Sequence, residues 1–232
     1  MPDTFKAFVV DKRDDRYDAS IRDLTLTDLP DEAVLVDVAY SCLNYKDGLA
    51  VTGKLGIVRS FPMVCGIDLA GTVVESTDPA FARGDRVLVN GWGLSESHWG
   101  GYSQKQRVKA RFLTRVPAAF SLEDTMAIGT AGYTAMLCVM ALEEAGVAPA
   151  AGDIVITGAA GGVGSIAVVL LAKLGYASLP PPAAQRRVIT SRTLVPQRSS
   201  AATNSTATPS PWNECVGLAV STRWAQRSSV LC

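Results

Sequence analysis

Histidine occurs once in these 232 residues, aromatic residues make up 7% and charged residues 19%. The single imidazole, His98, invites a catalytic assignment, but its place in the turn His98-Trp99-Gly100-Gly101 favours a loop-ordering role. Lys plus Arg and Asp plus Glu number 22 each, so no excess charge draws the chain to nucleic acid or to an anionic membrane. Neither class of partner is expected. The five cysteines (Cys42, Cys65, Cys138, Cys215, Cys232) contain no C-x-x-C pair and no group of four, which argues against a structural zinc lobe and for free thiols in a reducing compartment. The longest apolar region, residues 166–174, is broken by Lys173 and has the length of a core helix. The start, Met1-Pro2-Asp3-Thr4, has neither the basic nor the apolar region of a secretory signal, so a soluble, cytoplasmic protein is expected.

What is present is enough for two modest domains. Residues 5–10 and 33–40 carry strand patterns, with a turn at 28–32 between them. Further short strands are expected at 71–75, 86–90 and 104–108, separated by Gly, Pro and Asp clusters. This spacing predicts a small, mostly antiparallel barrel over 1–120. At Ser121 the texture changes: a helix cap with acidic first-turn residues Glu123 and Asp124 is followed by an apolar helical run over 131–145. A barrel, a helix and the opening of a βαβ unit make an α/β chain with a β-rich first part and a cleft between domains. From residue 178 to 232 the chain is rich in Ser, Thr, Ala and Pro with little hydrophobic periodicity, and disorder is expected there.

The stretch Asp153 to Ser165 is the most informative. An apolar strand enters a glycine turn and then a helix, the pattern of a dinucleotide-binding fold. Glycines let the backbone approach a pyrophosphate, and the helix N-terminus offers unpaired N–H groups and the positive end of its dipole. Ala160, Gly161, Gly162, Val163, Gly164 and Ser165 are the expected cradle. Beyond Ala177 there is no second apolar strand ending in an acidic or basic residue, where a ribose or 2′-phosphate would be read, and no further βα unit. A second constellation lies in the barrel, around Ser41 to Asp47 and Phe61 to Gly71. Asn44 and Asp47 either line a cleft or bond the local backbone of a capped turn. Asp68, between Ile67 and Leu69, must find partners or shift its pKa. Cys42 and Cys65 read as small buried thiols, His98 as a loop-ordering residue, and Met136 and Met140 as ordinary core.

The runs Leu43-Asn44-Tyr45-Lys46-Asp47-Gly48, Phe61-Pro62 with Gly66-Ile67-Asp68-Leu69-Ala70-Gly71-Thr72-Val73, His98-Trp99-Gly100-Gly101, residues 128–143 and Thr157 to Ser165 together resemble the NADPH-dependent acryloyl-CoA reductase group. That group is a quinone-oxidoreductase-like branch of the medium-chain dehydrogenase/reductase superfamily, and the resemblance covers residues 5–177. It implies a GroES-like catalytic domain over 1–120, a partial Rossmann domain over 121–177, and a non-family tail over 178–232 of frameshifted or mis-spliced origin. The implied reaction is reduction of an activated C=C bond of an enoyl thioester with NADPH. By position, Tyr45 would contact the nicotinamide, Thr130 would line its pocket, residues 160–163 would hold the pyrophosphate, and Asn44, Asp47 and Asp68 would line the catalytic cleft.

Relatives that use zinc carry Cys and Gly-His-Glu where this chain has Asn44 and Gly66-Ile67-Asp68, so no metal is expected. The thioester carbonyl itself activates the alkene, and the enolate needs only hydrogen bonds. The partner implied is a small molecule, acyl-CoA or quinone, and the family is expected to be homodimeric. NADPH-dependent quinone reduction and a non-enzymatic barrel remnant that binds a partner are the alternatives. As a truncated chain, it is expected to expose apolar sheet faces and to have impaired activity.

Overall fold

The computed structural model describes residues 4–14, 16–179, 218–220 and 230–231. The chain divides into two compact units, Met1–Thr130 and Ala131–Cys232. The first contains β1 (Thr4–Arg13), β2 (Arg16–Thr25), β3 (Val34–Tyr40), a short helix α1 (Tyr45–Thr52), β4 (Met63–Val64), β5 (Asp68–Ser76), β6 (Arg86–Asn90), β7 (Lys105–Val108) and β8 (Thr114–Arg115). All its ladders are antiparallel, in a five-stranded sheet ordered β7-β3-β5-β6-β8 and a three-stranded sheet ordered β2-β1-β4. Residues 102–104 sew the sheets together. Phe8 donates its N–H to Tyr102 O at 2.7 Å, Gln104 donates to Lys6 O at 2.9 Å, and Val38 donates to Gln104 O at 2.9 Å. The result is the expected antiparallel barrel.

Alternation decides which side chains fill it. Val34 and Val36 of β3, Leu69 and Val73 of β5, and Val87 and Val89 of β6 are buried in one cluster, as two-residue periodicity requires. Two elements had weak sequence signals. In β2 no residue is fully buried, so a charged edge strand showed no apolar pattern, which is also what protects such an edge from aggregation. Helix α1 has eight residues, including Gly48 and two β-branched side chains, a composition with low intrinsic helicity. Tertiary contacts and its caps hold it instead.

The long helix α2 (Leu122–Glu144) begins where Ser121 and Asp124 bond reciprocally: the Ser121 N–H donates to Asp124 Oδ2 at 2.9 Å, and the Asp124 N–H donates to Ser121 Oγ at 3.0 Å. It breaks at Gly129, whose φ of 53° and ψ of −166° are not helical. By length and hydropathy α2 could cross a membrane.

In the second unit Ala135, Val139 and Leu142 of α2 pack with Ile154 and Ile156 of β9 (Ile154–Ile156) and with Ala167, Val168 and Leu171 of α3 (Gly162–Lys173). One side of α2 is thus core, but Met136 and Met140, expected in the core, are exposed on the helix. Strand β9 then pairs with β10 (Ser178–Leu179) and β11 (Leu218–Val220), and β11 with β12 (Val230–Leu231), in the order β10-β9-β11-β12. β10 runs parallel to β9 and β11 antiparallel to it. A short parallel strand thus follows α3, with neither an acidic nor a basic residue in it. Two residues are too few to show a hydrophobic pattern. The remaining residues of 180–232, and with them most of the expected disorder, lie outside the described residues.

Candidate active site

Asp68 opens β5 and is fully buried, with 0% exposure. Its carboxylate is the hub of a cluster drawn from four parts of the chain. Oδ2 accepts from Asn44 Nδ2 at 3.0 Å, from the Thr130 N–H at 3.0 Å and from the Cys42 thiol. Oδ1 accepts from Asn90 Nδ2 at 3.1 Å and from the Thr130 hydroxyl. Five donors thus occupy a group that can only accept, which compensates its burial.

Each donor has a structural origin. Asn90 ends β6 and is the cross-strand neighbour of Asp68 in the β5–β6 register. Asn44 precedes α1, where a side-chain cap would be usual. Here Asn44 Nδ2 turns instead to Asp68 and, at 3.2 Å, to Cys42 Sγ. Thr130 follows the break in α2. The non-helical turn at Gly129 interrupts the helical ladder, so the Thr130 N–H is directed to Asp68. A Cβ on Gly129 would lie 2.7 Å from Cys42 Sγ and 3.3 Å from Asp68 Oδ2. Only glycine fits at that position.

Asp47 is 1% exposed and one hydrogen bond removed from this hub. Its Oδ2 accepts the Asn44 N–H at 2.7 Å and the Tyr102 hydroxyl at 2.9 Å, and its Oδ1 accepts the Ile67 N–H at 3.0 Å. It therefore brackets the backbone beside both Asn44 and Asp68. Burial raises its pKa, partly opposed by the Asn44 N–H, the Tyr102 hydroxyl and the Ile67 N–H. The folded state then binds this proton more tightly than an unfolded aspartate, and stability falls as pH rises from the ordinary aspartate value through the raised one. In urea unfolding over this range, the advantage of the wild type over Asp47→Asn is expected to be largest at the acidic end and to shrink as pH rises. An advantage that grew with pH would show that the site favours the charged form.

The sequence-derived residues therefore separate into groups. Asn44, Asp68 and Thr130 meet directly, Asp47 supports them, and Tyr45 stands at the start of α1 with 73% exposure. Cys42, Asn90 and Tyr102 join the cluster without having been singled out as site residues. The register of β5 against β6 could have suggested Asn90, and the spacing of Cys42 to Asn44 could have suggested the thiol. Nothing local to Tyr102 announced its bond to Asp47. Burial and then the Asp68 carboxylate push the Cys42 thiol up to about 12, which marks it as a hydrogen-bond donor rather than a nucleophile. Among the described residues no group of three or more His, Cys, Asp or Glu side chains is placed to hold a metal ion.

The glycine turn stands by itself in the second unit. Strand β9 ends at Ile156, the Gly161 N–H donates to Gly158 O at 2.8 Å, and α3 starts at Gly162. Ala160, Gly161, Gly162 and Ser165 are exposed, Val163 is half-buried and Gly164 is buried. The first-turn N–H groups have no acceptor within their own helix, and this arrangement suits an anion. A Cβ on Gly164 would come within 2.3 Å of Gly158 O and 2.8 Å of Ala159 Cα. Gly164→Ala is expected to unseat α3 at a cost of about 2–3 kcal/mol. Amide exchange at Ile154 and Ile156 should quicken while that at Val87 and Val89 stays unchanged, and equal protection at all four would refute this account.

Residues 30–118 match the family described as alcohol dehydrogenase GroES-like domain. The chain is 54% identical over 171 residues to the probable acrylyl-CoA reductase AcuI of Escherichia coli (strain K12), covering 74% of this chain and 53% of that protein. It is 46% identical over 178 residues to the putative quinone oxidoreductase YhfP of Bacillus subtilis (strain 168), covering 76% and 53%. The structure is similar to the yhdH oxidoreductase of Salmonella enterica in complex with NADP, with a TM-score of 0.75, 50% identity, and coverage of 78% of this chain and 57% of that one. By these comparisons the chain resembles the acryloyl-CoA reductase branch of the medium-chain dehydrogenase/reductase superfamily. It spans about half the length of the curated relatives it matches.

Proposed function

We propose that this chain reduces the activated C=C bond of an enoyl thioester of the acryloyl-CoA class with NADPH. The observation that carries this reading is the Asp68 hub, which holds Asn44 and Thr130 in one cluster although they lie 24 and 62 residues from it. The exposed N–H groups at the glycine turn support cofactor binding. The turn fits a pyrophosphate because the buried Gly164 leaves α3 seated against Gly158 with its first-turn N–H groups at the surface. Residues 160–165 would hold the pyrophosphate, with Tyr45 and Thr130 bordering the nicotinamide. When bound, NADPH supplies the hydride for the β-carbon of the alkene.

The chain's own residues then fix geometry and charge. Asp68 takes the Thr130 hydroxyl proton as a hydrogen bond and leaves that oxygen able to accept. It also anchors the Asn44 amide by its nitrogen, which fixes the orientation of that side chain at the start of α1. As electron density moves onto the thioester oxygen, the exposed Tyr45 hydroxyl is the donor on this face for the developing enolate. Asp47 acts through Asn44 and Ile67 and is a positioning residue. The free thiols at Cys42, Cys65 and Cys138 support a reducing cytosol.

The test is a titration of the full chain with NADPH, followed by tryptophan and cofactor fluorescence, and then turnover of acryloyl-CoA. Saturable binding and loss of NADPH absorbance on adding the thioester are expected, with turnover lowered about a hundredfold in Thr130→Val. Oxidation of NADPH by a quinone but not by the thioester would favour the activity in the name of the Bacillus relative. Absence of NADPH binding by a folded chain would remove the proposal.

A further inference from the structure

The turn before β3, the loop between β6 and β7 and the chain leaving β7 enclose a cavity of about 230 Å³ that the reductase reading does not use. Part of its lining is apolar: Leu94, Val108 and Phe112 border it, and all three are buried. Its polar lining comes from Glu32, Ser60, Ser97, His98, Arg107 and Lys109.

These polar groups are unequally committed. Arg107 is paired with Glu75 and donates to the Glu32 carbonyl at 3.4 Å. Lys109 Nζ stands 5.7 Å from the Phe112 centroid and 3.7 Å from Glu32 Oε1, which is longer than a hydrogen bond. The His98 ring meets Phe112 edge-on at 5.1 Å, and among the described residues its imidazole has no hydrogen-bond partner. Burial and then Lys109 hold the His98 pKa below the ordinary histidine value, opposed by Glu32 and reinforced by Arg111. The imidazole is therefore neutral at pH 7 with one N–H to donate, and the field around it is positive. An ammonium, an imidazole N–H and the Ser60 and Ser97 hydroxyls thus border one space with donors to offer.

Size and charge narrow the ligand. The volume falls below the roughly 300–1,000 Å³ of pockets that enclose drug-sized molecules. The Glu32 carboxylate penalises a second negative charge, so a monoanion is favoured over a dianion. The apolar wall rewards a ligand that carries a hydrocarbon tail as well as a charge.

We propose that this cavity binds a short aliphatic monocarboxylate, its carboxylate taken by Lys109 and His98 and its tail laid on Leu94, Val108 and Phe112. The site lies within the first unit and shares no residue with the Asp68 cluster or the glycine turn. It stands whether or not the enoyl-thioester reading does.

The test titrates the full chain with butyrate and follows backbone amide shifts and tryptophan emission, since Trp99 also lines the cavity. Saturable shifts are expected at Leu94, Ser97, His98 and Lys109, with a Kd on the order of millimolar, and none at Gly161, Gly162 or Val163. Butan-1-ol keeps the tail without the charge, and inorganic phosphate keeps charge without a tail. Each should bind about tenfold more weakly than butyrate or worse. Lys109→Gln should weaken butyrate about tenfold, His98→Leu severalfold, and Lys109→Arg should keep most of the affinity. Glu32→Gln should tighten binding severalfold by removing the repelling carboxylate. The Lys109 and Glu32 side chains are partly exposed, so these variants are expected to keep the wild-type circular dichroism spectrum.

The wild-type titration locates the site without any substitution. Shifts centred on the glycine turn, phosphate binding as tightly as butyrate, indifference to Lys109→Gln in a folded variant, or no saturable shift would each overturn the proposal.

Discussion

Asp68→Ala is expected to destabilise the first unit by about 3–5 kcal/mol, the scale for removing one partner of a buried charged network. Alanine leaves the Asn90 amide, the Thr130 N–H and hydroxyl, the Asn44 amide and the Cys42 thiol without their shared acceptor. Asp68→Asn keeps the volume but converts one oxygen to a donor, which must then face either Asn90 and Thr130 or the three donors on the other oxygen. It is expected to cost nearly as much. Urea unfolding measures this directly, and Cys42 supplies an independent reading. With its pKa raised from 9.0 to about 12, its thiolate is about a thousandfold scarcer than that of an ordinary thiol. Burial alone would persist in Asp68→Ala, but the repulsion and hydrogen bond from Asp68 would not. Alkylation of the Cys42 peptide should therefore quicken severalfold in the variant. An unchanged midpoint together with an unchanged alkylation rate would show that water replaces the carboxylate without loss.

Gly129→Ala is expected to cost about 3 kcal/mol from two separable sources. The backbone at φ 53° and ψ −166° belongs almost exclusively to glycine, which accounts for about 1–3 kcal/mol of strain. The new methyl would also lie 2.7 Å from Cys42 Sγ, an overpacking cost of about 1–3 kcal/mol. Combining it with Cys42→Ala removes the sulfur contact but neither the dihedral strain nor the 3.3 Å approach to Asp68 Oδ2. The double variant should therefore lose less stability than the sum of the two single changes, with a coupling of about 1 kcal/mol or more. Strict additivity would mean that the methyl finds room and that only the backbone matters. If α2 straightens in the variant, the Thr130 N–H returns to the helical ladder and the cluster loses two donors to Asp68 at once. Cofactor binding would fall with stability.

Several parts of this protein were legible because their physics is local. Alternation in β3, β5 and β6 sends Val34, Val36, Leu69, Val73, Val87 and Val89 into one cluster, while Leu35 on the other face of β3 is buried in a second. Ser121 with Asp124 is a helix start written in four residues, and the glycine turn after β9 specifies a strand-to-helix passage on its own. Elements stabilised from elsewhere were not legible in this way. β2 buries none of its residues completely, α1 is too short to show a period, and β10 is two residues long.

The sequence by itself determined an antiparallel β-rich part, a helix, a glycine turn of the nucleotide-binding kind and a carboxylate at 68 that needed partners. Only the tertiary structure decided who those partners are. Asn90 reaches Asp68 through strand register, Thr130 through a break in α2 that only glycine tolerates, and Asn44 because Asp47 and Tyr102 hold the segment before α1 in place. A buried charge must be compensated, and that requirement can be read from one residue. Which donors compensate it depends on chain segments up to 62 residues away, and their convergence is a property of the packed fold.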